Sequence, residues 1–357
     1  MSQIIKSYKK FLISNFFYVP VWILRIIFPQ IRTKIREFKI DFQSYVFIKL
    51  NPKSTLHTIK EKDLPKIRKV IEHNKINSRL SIKSKNIVET IDHSIFIKHK
   101  NNQMLLREYI PKNIDSDKII LFFHGGGWTI DSVNTYDDMV KYFSDYLNIK
   151  IFSFEYSLSP EDKFPNALME AEEIYKWFIN SGTPSNKISL SGDSAGAHMV
   201  ASLSYKLAKQ GSEMPNSLLM IYPPCDPQFK SESINLFKDE YFLLHSDLSW
   251  FWNKFRKNQT DEDNPMFNLL KFDLTIAFPP TILVTGGFDP ICDEGTQYAN
   301  LLKKQGTNIK ILNYPTLFHN FAFMTKLHTA RKAVNNFLDE YKKIAVSYTH
   351  LRAHETS

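Results

Sequence analysis

Residues 187–196, KISLSGDSAG, decide the fold because they place a serine between a short apolar run and a run of helical spacing. Residues 187–191 are too short for a helix and are typical of a buried strand, whereas a helical pattern starts directly after Ser194. Ser194 therefore lies on a predicted strand-to-helix turn. Gly192 and Gly196 flank it, and without a Cβ they let strand and helix approach closely enough to expose the hydroxyl. We interpret Ser194 as a nucleophile.

Short apolar runs elsewhere in the chain predict the other strands of a sheet. Such runs, bounded by turn residues, are typical of buried parallel strands. These runs are 118–123, 149–156, 187–191, 217–222, 281–285 and 309–314. Before them, residues 93–99 and 104–110 alternate like a pair of strands. The predicted helices are 166–180, 195–210, 294–304 and 329–341. Because strands alternate with helices, the pattern predicts an α/β fold in which helices flank a mostly parallel central sheet.

Two intervals do not follow this alternation. Residues 1–85 are helical and basic in pattern, and the aromatic-rich residues 226–272 separate two predicted strands by more than a crossover helix requires. We predict a main domain over residues 86–345, in which 226–272 form a helical cap over the carboxyl edge of the sheet together with part of residues 1–85. Ligands bind at that edge in open α/β sheets. Residues 346–357 lack a hydrophobic period, and we expect them to be a non-native tail.

The positive charge of the chain is concentrated near its start. Of the net charge of +9, most lies in residues 1–40, which hold eight lysines and arginines and one acidic residue. The remainder carries no basic stripe, which argues against a nucleic-acid partner. Within this region residues 11–28 are apolar, but Asn15, Pro20 and Arg25 interrupt them, which disfavours a membrane span. Contact with a membrane surface and a pair of cap helices both stay open.

The two cysteines, Cys225 and Cys292, form neither a disulfide framework nor a metal-ligand spacing. They are typical of buried thiols in a reducing compartment. We therefore predict a cytoplasmic protein, with membrane association through residues 11–28 left open, and no metal or cofactor. The sequence does not predict an oligomeric state.

A run of glycines follows the predicted strand 118–123. Successive glycines at a strand end expose backbone N–H groups that side chains would otherwise cover, and such groups can donate to a developing oxyanion. The candidate donors are the amides of Gly125, Gly126, Gly127 and Ala195. His124 directly precedes these glycines, so we interpret it as a structural hydrogen-bonding residue rather than as a base.

An acid and a base follow later in the chain. Asp289 comes after a predicted strand and a Gly-Gly turn, whereas Asp293 and Glu294 lie in the first turn of the next predicted helix, where carboxylates often act as caps. His319 lies between the last predicted strand and the last predicted helix. The order serine, acid, histidine is that of α/β-hydrolases. We predict that Asp289 orients His319 and that His319 takes the proton of Ser194.

At these motifs the chain resembles the hormone-sensitive-lipase-like carboxylesterases, a branch of the α/β-hydrolases, over about residues 85–345. The resemblance rests on HGGG at 124–127, EYSLSPE at 155–161, GDSAG at 192–196, DPICDE at 289–294 and His319. It implies a catalytic triad of Ser194, Asp289 and His319 and an oxyanion hole from Gly125, Gly126, Gly127 and Ala195. It also implies an esterase for short- to medium-chain acyl groups with a helical N-terminal cap.

The chain departs from the family's usual pattern at four positions. Glu155 and Ser157 stand where the family usually has aspartate and arginine, so a supporting ion pair beneath the site is absent or rebuilt. Asp131 and Asn320 stand where the family commonly has glycine. Neither of these two changes removes a catalytic group, but both can reshape the substrate pocket.

Three functions are compatible with this pattern. The first is a serine carboxylic ester hydrolase that forms an acyl-enzyme intermediate on a small-molecule ester. The second is an amidase or deacetylase of a hydrophobic small molecule, because the same three groups serve amide bonds. The third is a non-catalytic small-molecule receptor, which the intact Ser194 and His319 disfavour.

Overall fold

The computed structural model describes residues 16, 19–28, 34–51, 53–78, 80–237, 239–273 and 275–347. The described residues form a sheet of eight strands in the order β1-β2-β4-β3-β5-β6-β7-β8. The strands are β1 (Val88–Ile97), β2 (Asn102–Pro111), β3 (Ile119–Phe123), β4 (Lys150–Phe154), β5 (Ile188–Asp193), β6 (Leu218–Ile221), β7 (Thr281–Phe288) and β8 (Ile309–Phe318). Strands β1 and β2 are antiparallel, and the sheet is parallel from β4 to β8. The predicted fold class is confirmed.

Helices cover both faces of this sheet. They are α1 (Val21–Ile27), α2 (Phe42–Leu50), α3 (Leu64–Ser78), α4 (Val133–Leu147), α5 (Asn166–Asn180), α6 (Ala195–Lys209), α7 (Glu232–Phe237), α8 (His245–Phe255), α9 (Cys292–Lys304) and α10 (His328–Ser347). In β3, Ile120 and Phe122 belong to one buried cluster and Leu121 and Phe123 to the other. Because both faces are covered, β3 and β6 are continuous apolar runs rather than alternating ones.

Two local predictions need correction. Helix α4 was not predicted, although its buried residues Tyr136, Val140, Phe143 and Leu147 have helical spacing. The predicted Gly-Gly turn after residue 285 is also wrong, since β7 continues to Phe288 with a shift in pairing against β8. These glycines allow β7 and β8 to approach closely and do not form a turn. A Cβ on Gly287 would lie 2.4 Å from the carbonyl oxygen of Pro315 on β8.

The N-terminal segment and the insertion at 226–272 meet above the carboxyl ends of the strands. His57 Nδ1 lies 3.2 Å from the carboxylate of Asp247 on α8, and Lys254 on the same helix pairs with Glu61. Both connect α8 to residues just before α3. The boundaries predicted for the cap and the main domain stay predictions.

The apolar stretch 11–28 is described only in part, since residues 11–15, 17 and 18 lie outside the described residues. In α1, Leu24 is buried, whereas Trp22 and Ile26 are 64% and 76% exposed. No helix in the described part of the chain is long and apolar enough to cross a membrane. Membrane-surface contact and a cytoplasmic location stay predictions. Of the expected tail, residues 348–357 also lie outside the described residues.

Candidate active site

Ser194 lies on the sharp turn between β5 and α6. Its backbone has φ 51° and ψ −122°, a conformation that non-glycine residues rarely adopt and that is common at functional sites. A Cβ on Gly196 would lie 1.9 Å from the carbonyl oxygen of Phe123, and one on Gly192 would lie 2.4 Å from the carbonyl carbon of Gly196. The turn is therefore possible only because both flanking residues are glycine, as the sequence predicted.

The structure brings the predicted nucleophile, base and acid into one hydrogen-bonded line. Ser194 Oγ lies 3.0 Å from His319 Nε2, and His319 Nδ1 lies 2.7 Å from Asp289 Oδ2. The second carboxylate oxygen of Asp289 accepts from the amide of Ile291 at 3.0 Å. With the Nδ1 proton donated to the buried carboxylate, Nε2 is left to accept the proton of Ser194.

The two competing acids lie elsewhere. Asp293 receives two hydrogen bonds from the guanidinium of Arg36, at 2.6 and 2.8 Å. Glu294 is buried and accepts from the amides of Cys225 and Asp226 at 2.7 and 3.3 Å. Both carboxylates have structural partners, and in the described residues neither makes a hydrogen bond to His319.

We call residues 124–131 the glycine loop. Gly126 and Gly127 have φ values of 106° and 57° and line the same cavity as Ser194 and His319. Their N–H groups donate no hydrogen bond within the described part of the chain. Ala195 is the first residue of α6, so its N–H also lacks an intrahelical acceptor. In the described part of the chain the amides of Gly126, Gly127 and Ala195 are therefore free to donate to a bound group, as an oxyanion hole requires.

The first glycine of the loop has a different environment. A Cβ on Gly125 would lie 2.5 Å from the hydroxyl of Tyr136 and 3.1 Å from Asp193. Gly125 is not among the residues that line the cavity. Its role is close packing beneath the site. Of the four predicted oxyanion donors, Gly126 and Gly127 line the cavity, and Ala195 directly follows Ser194 at the start of α6.

His124 is fully buried, and its ring stacks on that of Tyr156 with 4.3 Å between the centroids. Burial lowers the pKa of His124 to about 4, so the ring is neutral near pH 7. His319, and not His124, contacts Ser194. This position agrees with the interpretation of His124 as a structural residue rather than as a base.

A cavity of about 480 Å³ opens above Ser194. Its wall is mostly apolar and comes from both the N-terminal segment and the insertion, through Ile48, Leu56, Ile71, Phe242, Leu248 and Phe251. A Cβ on Gly127 would lie 2.2 Å from the ring of Phe251, so this ring packs directly on the glycine loop. Such a pocket suits an apolar acyl or alcohol group of limited size.

Asp193, the residue before the nucleophile, is a buried acid that sequence reasoning did not single out. It accepts hydrogen bonds from the hydroxyls of Tyr136 and Tyr222, at 3.1 and 3.3 Å. Burial raises the pKa of Asp193 to about 7. The ring of Tyr222 lies 4.8 Å from that of His319, so this cluster packs against the candidate base. The partners are distant in sequence, and no local signal links them.

The free energy of unfolding is expected to depend on pH through Asp193. Because its pKa in the folded state is raised from an unfolded value near 4 to about 7, its contribution to stability is full below pH 4 and is lost as the pH rises to 7. Chemical denaturation of the wild type and of Asp193→Asn at pH 4 and pH 7 measures this contribution. The wild type should lose more stability than the variant over this range, by a few kcal/mol at about 1.4 kcal/mol per pKa unit. Equal losses in both proteins would contradict the prediction.

Three of the four departures from the family pattern now have a structural account. Glu155 accepts from the amide of Val133 at 2.7 Å, and burial raises its pKa to about 7. It forms no salt bridge among the described residues. Asp131 and Asn320 both have left-handed backbones, with φ 72° and 68°. Aspartate and asparagine tolerate this conformation better than other non-glycine residues, which explains their presence at glycine positions.

A guanidinium from the N-terminal segment binds close to the position where the family has its arginine. Arg68 on α3 makes a two-pronged pair with Glu161, at 2.9 and 2.7 Å. It also donates to the carbonyl oxygens of Thr129 and Ser159, at 2.7 and 2.6 Å. The departure at Ser157 is thus accompanied by a cation supplied from far away in sequence.

The fold and this site together define an α/β-hydrolase with a serine at its nucleophile elbow. A family profile described as the alpha/beta hydrolase fold matches residues 120–323, more than half of the chain. The chain belongs to this family, and the predicted resemblance to its carboxylesterase branch is confirmed.

Relatives of known activity agree with this assignment. The chain is similar to the carboxylic ester hydrolase LipN of Mycobacterium tuberculosis, with 27% identity over segments that cover 65% of this chain and 64% of that protein. It is also similar to an arylesterase of Saccharolobus solfataricus, with 27% identity over 66% of this chain and 78% of the relative. Among solved structures, the esterase of Pyrobaculum calidifontis matches with a TM-score of 0.73 and 26% identity, covering 83% of this chain and all of that one. The predicted class, an ester-hydrolysing enzyme, is confirmed at this level.

Proposed function

We propose that this ester-hydrolysing enzyme acts through an acyl-enzyme intermediate on Ser194, with short- to medium-chain acyl esters of small molecules as substrates. The observation that carries the proposal is the line of hydrogen bonds from Ser194 to His319 and from His319 to Asp289. This line lies at the base of an apolar cavity, which is where an ester would bind.

The reaction has two symmetrical halves. As Ser194 Oγ attacks the ester carbonyl carbon, His319 Nε2 takes its proton, and Asp289 stabilises the imidazolium. The carbonyl oxygen becomes an oxyanion that accepts from the amides of Gly126, Gly127 and Ala195. His319 then gives the proton to the departing alkoxide, which leaves an acyl group on the serine. Water attacks this acyl group by the same route and releases the acid.

The size of the cavity supports the proposed acyl length. Its walls come from the sheet edge, the N-terminal segment and the insertion, and Phe251 closes it next to the glycine loop. We infer that the ring of Phe251 limits the room for an acyl chain beside Ser194, so that methylenes beyond a medium chain length gain no further buried area.

Hydrolysis of p-nitrophenyl esters with two to sixteen acyl carbons tests this proposal. We expect the highest kcat/KM at eight carbons or fewer, with a fall of at least about 10-fold at sixteen, because the additional methylenes are not buried. An optimum at twelve carbons or more would contradict the proposed substrate class. Correctly folded protein that hydrolyses amides but none of the esters would favour the amidase or deacetylase alternative.

A further inference from the structure

A salt bridge joins the N-terminal segment to the glycine loop. Lys75 lies on α3, and its Nζ is 2.5 Å from Asp131 Oδ2. The side chain of Asp131 is only 1% exposed, and that of Lys75 is 23% exposed. Lys75 also lies over the ring of Phe323, 5.4 Å from its centroid. The pair is therefore largely removed from water, where charges interact more strongly than at the surface.

The carboxylate of this pair lies against Gly126, one of the candidate oxyanion donors. A Cβ on Gly126 would lie 2.8 Å from Asp131 Oδ2. The other oxygen, Oδ1, is buried and has no hydrogen-bond partner in the described part of the chain. A negative charge at this place opposes the negative charge that develops on the substrate oxygen during attack. A cation bound to the same carboxylate cancels that effect, and Lys75 is bound there.

The field of the pair also extends below the nucleophile. Burial is the main cause of the raised pKa of Asp193, and Asp131 raises it further whereas Lys75 lowers it. Both charges also line the cavity together with Ser194 and His319. The positive charge of Lys75 and the negative charge of Asp131 therefore both influence the electrostatic potential around Ser194 and His319, with opposite signs.

We propose that Lys75 is a positioning residue of the catalytic site, which neutralises Asp131 and so preserves the ability of the glycine loop to stabilise the oxyanion. Lys75 does not touch the reacting atoms and acts through Asp131. The proposal rests on the proposed function, and it adds that the N-terminal segment contributes to the chemical step and does more than cover the pocket.

Single and double variants of the full chain test this inference. Lys75→Met should lower kcat for the best p-nitrophenyl ester by about 10- to 100-fold, with KM within about 3-fold, because the unpaired carboxylate opposes the transition state more than the bound substrate. Adding Asp131→Asn to Lys75→Met removes this charge and should restore at least about 10-fold of kcat. Lys75→Arg, which keeps the charge, should retain more kcat than Lys75→Met. Lys69→Met, at an exposed lysine on the same helix, is the matched control.

The pattern of results separates this inference from simpler roles of the pair. If the pair were merely a tether, Asp131→Asn alone would lose as much kcat as Lys75→Met, and the double variant would stay low. That pattern, or a Lys75→Met variant with kcat within about 3-fold of the wild type, would overturn the inference while leaving Ser194-dependent hydrolysis intact. Absence of Ser194-dependent hydrolysis in the wild type would overturn the proposed function as well. Melting temperatures are measured for every variant, and Lys75→Gln replaces Lys75→Met if the latter does not fold.

Discussion

Replacing Ser194 with alanine is expected to lower kcat/KM by at least about 10⁴-fold, because the variant loses the atom that forms the acyl bond. His319 would then have no hydroxyl to deprotonate. Residual turnover would come only from water activated in the remaining oxyanion site. Among the described residues the side chain of Ser194 makes one hydrogen bond, to His319, so the fold should persist. Initial rates with a short p-nitrophenyl ester, and the melting temperature of the same samples, measure both expectations.

A covalent label makes this test independent of contaminating esterases. A fluorophosphonate should add one group to the wild type, at Ser194 by mass spectrometry, and none to the alanine variant. Ser181→Ala, at an exposed serine after α5, is the matched control and should be labelled like the wild type. Turnover within about 10-fold of the wild type in a pure sample of Ser194→Ala would refute the proposed mechanism.

Replacing Asp289 with asparagine is expected to lower kcat by about 10⁴-fold, the loss that an equivalent change causes in a serine protease. Asp289 Oδ2 accepts the Nδ1 proton of His319 at 2.7 Å. The amide group of asparagine can donate to Nδ1 instead, which moves the ring proton to Nε2. His319 then cannot accept the proton of Ser194. Single-turnover rates of acylation measure this loss directly.

Asp293→Asn is the informative control, because Asp293 is the neighbouring acid that the sequence left as a competitor. It pairs with Arg36 near the surface and lies outside the line from Ser194 to Asp289. We expect it to lower kcat less than about 10-fold. If Asp293→Asn costs more than Asp289→Asn, the assignment of the acid is wrong.

Much of this site could be predicted from local sequence. The elbow at Ser194 is visible because an apolar run, two close-approach glycines and a helical pattern follow one another within ten residues. Asp289 could be preferred over Asp293 because the latter stands in the first turn of a helix, which is also a local property. The left-handed backbones of Asp131 and Asn320 were not predicted, and the signal that could have found them is the family resemblance, in which glycine is common at both positions.

Other features depend on residues that only folding brings together. The sequence by itself determined the α/β fold and the candidate serine, acid and base, because strand length, helical spacing and glycine position are encoded in neighbouring residues. Tertiary structure decided that Gly126 and Gly127, and not Gly125, face the cavity, that Asp193 is held by Tyr136 and Tyr222, and that Lys75 binds Asp131. These three features depend on burial and on contacts between residues that are tens of positions apart in the sequence. A local sequence pattern does not indicate whether a charged side chain is buried, or whether its nearest neighbour in the fold is positive or negative.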